Sequence, residues 1–231
     1  MNKDYEILQR IFDPTPIKEE ANRLEDNTAD DTYILENNGS LRSIFAPHWR
    51  SEIINDFIYN NPAIPYIKEQ LGDDIYIHQC HFNYKKSHTG GEFAWHSDYT
   101  YWHNMDGMPN PHAISVLYIL DDMHNNNGPL QILPESHTLP VEKFETDSWT
   151  IKHSADENLG IMASKTAYKA LQLVANAGDC VVMHANTLHA SDANLSNDDR
   201  TVLFVCYNRL DNKVTKNLRP NYITLRDFIK V

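Results

Sequence analysis

The chain has 231 residues, enough for one domain that buries about 70% of the surface its unfolded form would expose. With 41% apolar and 23% charged residues it is neither disordered nor fibrous, and a net charge of −12 repels phosphate backbones, which makes nucleic acid a poor partner by charge, so none is expected. No apolar run is long enough to span a membrane, and the start, Met1-Asn2-Lys3-Asp4, lacks the apolar stretch of a secretory leader.

In chain order, the first predicted element is a helix over 16–25, opened by Pro16, with Ile17, Ala21 and Leu24 on one face. A second helix is predicted over 49–59, where Trp49, Ile53, Ile54, Phe57 and Ile58 recur at helical spacing. A third covers 62–71, with Pro62 near its start and Gly72 just past its end. From residue 74 the pattern turns to β: a strand over 74–84, then short runs at 113–120, 130–133, 171–174, 180–183 and 201–207. Asp106-Gly107, Gly128-Pro129, Gly178-Asp179 and Asn197-Asp198 punctuate them as turns. The interval 154–170 reads as a helix or a lid. Helices first and many short strands after predict a mainly β fold with flanking helices, a double-sheet barrel. No linker interrupts the chain, so 1–231 is expected to be one domain, its helix-rich residues 1–73 packed on a strand core over 74–210. Cys80, Cys180 and Cys206 form an odd set without CxxC spacing and read as buried free thiols of a reducing, cytoplasmic setting.

The densest chemistry lies in Phe93-Ala94-Trp95-His96-Ser97-Asp98-Tyr99-Thr100-Tyr101-Trp102-His103. His96 and Asp98 are two apart, so in extended chain they point to one side and can reach one metal ion. Alone, His-x-Asp recurs by chance in many proteins. A third ligand would come from His189, after the apolar run Cys180–Met183, or from His184; five residues apart in extended chain, those two face opposite sides and are not expected to serve together. Two imidazoles and one carboxylate leave metal positions open for other ligands. Arg200, at the start of the last strand, could grip a carboxylate with two parallel hydrogen bonds, as a dicarboxylate chelating the metal at its other end would require.

On its motifs the chain resembles the phytanoyl-CoA dioxygenase superfamily of iron(II)/2-oxoglutarate oxygenases, and within it the ectoine hydroxylases. The matching residues are Leu41-Arg42-Ser43-Ile44-Phe45, His78-Gln79, Asn83-Tyr84-Lys85, Trp95-His96-Ser97-Asp98, Trp102-His103 and Asp106-Gly107-Met108-Pro109. They continue through Asn127-Gly128-Pro129-Leu130, Pro134-Glu135-Ser136-His137, His189-Ala190-Ser191, Arg200, Asn208 and Arg219-Pro220. The run from 93 to 109 is the most specific.

The resemblance implies a double-stranded β-helix (jelly-roll, cupin-like) core, with His96, Asp98 and His189 as ligands of Fe(II). It implies Arg200 on the distal carboxylate of 2-oxoglutarate, helped by Asn83, Lys85 and Ser191. It implies Gln79, Trp102 and Arg219 facing a small-molecule substrate, with Phe45 and Trp95 as walls. O2 is the co-reactant, succinate and CO2 the by-products, and a homodimer the suggested assembly. Two departures bear on the substrate: Tyr101 stands at a substrate-facing position where ectoine hydroxylases carry Thr, and Thr100 stands where they carry Glu. The expectation is hydroxylation of an unactivated C–H bond in ectoine or a free amino or imino acid. Related halogenases lack the carboxylate at the position of Asp98, so its presence points to hydroxylation. The rival readings are a jelly-roll metal hydrolase or isomerase, for which Arg200 has no use, and a non-catalytic small-molecule-binding protein.

Overall fold

A computed structural model describes residues 1, 3–26, 30–141 and 170–231. The predicted lid or helix at 154–170 therefore lies, apart from residue 170, outside the described residues.

Helix α1 (Thr15–Glu25) has Pro16 in its first turn and buries Ile17, Ala21 and Leu24, the predicted face. Helix α2 (Glu52–Asn60) starts later than predicted, because Ser51 caps it: its hydroxyl accepts from the Ile54 amide at 3.2 Å. Trp49 falls instead in a 3₁₀ turn, Pro47–Trp49, and is 54% exposed. Helix α3 (Ile64–Leu71) stops at Gly72, whose φ of 92° lies where side-chain-bearing residues are strained.

The strands are β1 (Tyr5–Leu8), β2 (Tyr33–Leu35), β3 (Leu41–Phe45), β4 (Ile75–Lys85), β5 (Phe93–His96), β6 (Ala113–Ile119), β7 (Leu130–Ile132), β8 (Leu171–Gln172), β9 (Cys180–His184), β10 (His189–Ser191) and β11 (Arg200–Arg209). They form a seven-stranded sheet, β1-β9-β6-β11-β4-β3-β2, and a four-stranded sheet, β5-β10-β7-β8, antiparallel throughout. This is the expected double-sheet, mainly β architecture. The expected boundary at residue 74 is not respected, because β1, β2 and β3 extend the large sheet at both edges. Each has only three to five residues, too short for an alternating pattern to stand out.

The large sheet has two buried faces. Ile114, Val116, Tyr118, Val182, Leu203 and Val205 pack under the helices. Leu117, Ile119, Val181, Met183, Val202 and Phe204 pack against Leu130 and Ile132 of the small sheet. Strand β4 changes parity midway: Cys206 pairs with Gln79 and Tyr207 with Ile77, so His78 is an extra residue. Ile75 and Ile77 before this bulge, and Cys80, Phe82 and Tyr84 after it, all meet the helix side. Gln79, His81, Asn83 and Lys85 are thereby turned to the inner face, between the sheets. All three cysteines are buried and free. Among the described residues no helix is long and apolar enough to cross a membrane.

Candidate metal and anion site

Strands β5 and β10 are neighbours in the small sheet, and their register pairs His189 with His96. The two imidazoles lie 4.3 Å apart between ring centroids. After His96 the chain stays extended through Ser97 (φ −112°, ψ 140°), so the alternation carries Asp98 to the side of His96. There the chain turns into the short helix α4 (Asp98–Tyr101), capped by the Ser97 hydroxyl, which accepts from the Thr100 amide at 3.2 Å. The Thr100 hydroxyl in turn lies 2.8 Å from that of Ser97.

Nε2 of His96 and Nε2 of His189 are each 3.8 Å from Oδ1 of Asp98. One ligand atom from each of the three residues lies within 4.8 Å of the others, among the described residues the one such group. Both rings are oriented alike. Nδ1 of His96 is 2.6 Å from the Ala94 carbonyl, and Nδ1 of His189 is 2.9 Å from the Thr187 carbonyl. A proton on each Nδ1 donates to that carbonyl and leaves Nε2 as a lone pair toward Asp98. Burial, reinforced by the neighbouring His189, pushes the pKa of His96 down to about 4, so the ring is neutral as a ligand must be. His184 ends β9 in the other sheet, and its Nδ1 accepts from the Asn186 amide at 3.1 Å. A change of sheet, not alternation along one strand, separates it from His189.

The group opens on a cavity of about 100 Å³ lined by His81, Asn83, Phe93, Ser191, Arg200 and Phe204, among others. Arg200 is 4% exposed, and its Nε is buried without a partner among the described residues. Burial lowers its pKa to about 10, which still leaves the guanidinium charged. Asp121 offsets only part of the cost of burying this cation, so this end of the cavity suits an anion. Asn83 stands beside it; its Oδ1 accepts from the Ser43 hydroxyl at 2.8 Å, so its amide nitrogen remains available as a donor.

Lys85 pairs with Arg200 across β4 and β11 but does not line the cavity. Its ammonium donates to the carbonyls of Gly91 (2.7 Å), Ser191 (3.4 Å) and Asp192, fastening the following loop to β10. Burial, with Arg200 and Arg42 alongside, pushes its pKa down to about 6. Gly128 packs so tightly on Asp192 and the Lys85 stem, at φ +69°, that no side chain fits there.

Several residues expected at the substrate face are engaged elsewhere. Trp102 is 1% exposed, its ring edge-on to His78 in the core, at the start of a π-helix over Trp102–Asp106. Arg219 closes on Asp106 with both Nε (2.9 Å) and a terminal nitrogen. Burial opposes ionisation of Asp106, but Arg219 and His78 outweigh it and hold the carboxyl well below the usual carboxylate range. Trp95 neighbours His96 on a strand, so it faces the other way and packs against Leu133 and Leu188. Gln79 is buried on the inner face of β4 without lining the cavity. Phe45 is placed near it indirectly: it stacks on His81 (4.7 Å), which stacks on Phe204 (4.6 Å). Tyr101 sits edge-on to His96 at 6.1 Å.

Two residues were missed by reading the sequence. His81 carries no motif in the sequence, and the bulge in β4 turns it to the cavity. Ser115 interrupts the apolar run Ala113–Ile119, and its hydroxyl donates to Oδ2 of Asp98 at 2.7 Å. A polar break in a buried strand was the available signal.

Comparison with known proteins places this geometry. The chain is similar to an ectoine dioxygenase of Nocardia farcinica, with 28% identity over 97% of this chain and 82% of that protein. It is 31% identical to an L-proline trans-4-hydroxylase of Streptomyces griseoviridis over 85% of this chain and 78% of the relative. The crystal structure of EctD from S. alaskensis with 2-oxoglutarate and 5-hydroxyectoine superposes with a TM-score of 0.85 and 27% identity, covering 97% of this chain and 80% of that one. The same protein has been solved with bound Fe, and that structure matches with a TM-score of 0.84. The family model for phytanoyl-CoA dioxygenase (PhyH) matches residues 5–202, and the chain belongs to that family.

Proposed function

We propose that the protein is an Fe(II)- and 2-oxoglutarate-dependent dioxygenase that hydroxylates an unactivated C–H bond of a small zwitterion, ectoine or a free amino or imino acid. The observation that carries this reading is the convergence on one small cavity of His96, Asp98 and His189 with the buried guanidinium of Arg200, whose Nε has no hydrogen-bond partner among the described residues. Two imidazoles and a carboxylate suit ferrous iron and leave positions open. Bound iron and 2-oxoglutarate supply the oxidising power, one atom of O2 entering succinate and the other the hydroxylated product, with loss of CO2.

The protein's own groups bind, orient and exclude water. His96, Asp98 and His189 hold the metal. Arg200 meets the distal carboxylate of 2-oxoglutarate with its planar fork, and Asn83 and Ser191 flank it with hydrogen-bonding groups. Lys85 acts one step back, by fixing the backbone around Ser191. Phe93, His81 and Phe204 give the cavity largely apolar walls, which strengthens the charge interactions inside it. Three buried free thiols support a reducing, cytoplasmic setting, and a homodimer follows from the resemblance.

The test is a mass-spectrometric panel of ectoine, L-proline and the free amino acids with Fe(II), 2-oxoglutarate and ascorbate. The expected result is a product 16 mass units heavier (about one oxygen atom), with matching succinate and dependence on Fe(II). Absence of succinate across the panel would count against the reading.

A further inference from the structure

We infer that Ser115 is a positioning residue that confines Asp98 to one metal-binding oxygen. The inference rests on the proposed metal site and adds to it a residue outside the ligand set.

Ser115 sits on the inner face of β6 between Ala113 and Leu117, both part of the apolar core between the sheets. It is fully buried. A hydroxyl in that position needs a partner, and its partner is Oδ2 of Asp98 at 2.7 Å. The other carboxylate oxygen, Oδ1, is the one equidistant, at 3.8 Å, from Nε2 of His96 and Nε2 of His189. The two oxygens are thus divided between tasks: one faces the imidazoles, the other is occupied by a short hydrogen bond.

That division has a consequence at an octahedral ion. A carboxylate binding through one oxygen, with two imidazoles, leaves three positions, enough for a chelating 2-oxoglutarate and for dioxygen. A carboxylate binding through both oxygens leaves two, and the chelating cosubstrate takes both. Ser115 therefore does for Asp98 what the carbonyls of Ala94 and Thr187 do for the two histidines: it selects the ligating atom and its direction.

The test uses Co(II) as a spectroscopic probe on the full chain, comparing wild type with Ser115→Ala and Ser115→Cys. Dissociation constants and the visible ligand-field band are read without turnover. Ser115→Ala is expected to weaken Co(II) about 10-fold, as Asp98 loses the hydrogen bond that fixes its orientation, and to shift the band, as the freed carboxylate can turn its second oxygen to the metal. Ser115→Cys, which keeps a weak S–H donor, is expected between the two. Wild-type affinity, within about twofold, and an unchanged band in Ser115→Ala would overturn the inference. If Ser115→Ala does not fold, the same result in Ser115→Cys overturns it. A wild-type chain that binds no Co(II) would sink the metal site itself, and this inference with it.

Discussion

His96 and His189 face one another as a register pair between β5 and β10, and each turns Nδ1 to the carbonyl two residues before it. A metal site assembled from paired strands needs no ordering of its ligands on binding. His189→Ala should therefore leave the fold intact and weaken Co(II) or Fe(II) by more than the 10- to 100-fold typical of a lost supporting group (an approximate range). Equilibrium dialysis against the metal, with the melting temperature as a control, checks this.

Arg200 is buried, its Nε has no hydrogen-bond partner among the described residues, and Asp121 acts on it as a more distant attractive charge, so its desolvation is only partly offset. Arg200→Met should raise the melting temperature of the ligand-free chain by about 2–4 °C, since removing an incompletely offset buried charge stabilises. It should also abolish the stabilisation that 2-oxoglutarate gives the wild type. Arg200→Lys keeps the charge without the fork and should weaken 2-oxoglutarate about 10-fold. Thermal denaturation with and without 2-oxoglutarate distinguishes the three proteins.

The Arg219–Asp106 pair is structural in this fold, with Thr224 donating to the same carboxylate at 2.9 Å. Asp106→Asn should cost about 3–5 kcal/mol, because Arg219 is then buried without its charge partner. Urea unfolding of the variant measures the loss. A change confined to substrate KM, with stability intact, would return Arg219 to the substrate face.

Acid should weaken the fold earlier than carboxylate titration alone would. Burial lowers the pKa of His48 and His184 to about 4 and that of His81 to about 3. The folded chain keeps these rings neutral, while the unfolded chain protonates them near pH 6.5. Stability contributed by each is full above about pH 6.5, falls as pH drops and is lost once the folded pKa is passed. At pH 5 each ring costs up to about 2 kcal/mol. The urea midpoint measured between pH 7.5 and 4.5 should begin to fall near pH 6.5 (approximate bounds set by the histidine pKa). A midpoint flat to pH 5 would contradict this.

The long strands β4, β6 and β11 were legible because runs such as Ala113–Leu120 are rich in β-branched and aromatic residues. Strand β10 was not, since His-Ala-Ser has little strand preference and owes its form to pairing with both β5 and β7. The triad and Arg200 could be picked out because motif residues bear directly on chemistry. The surroundings could not, because they depend on register. One extra residue at His78 decides that His81 faces the cavity, and packing against His78 keeps Trp102 away from it. Arg219 and Lys85 were recognised as important, but the Asp106 carboxylate and the Ser191 and Asp192 carbonyls that hold them come from distant segments that local sequence does not reveal.

Strand β1 pairs along the full reach of Cys180–Met183, covering what would otherwise be the open flank of a strand made of Cys, Val, Val and Met. Such a bare, apolar flank recruits other chains. Strand β1 thus acts as a built-in guard against aggregation, and removing it would be expected to show as insolubility before any loss of catalytic chemistry.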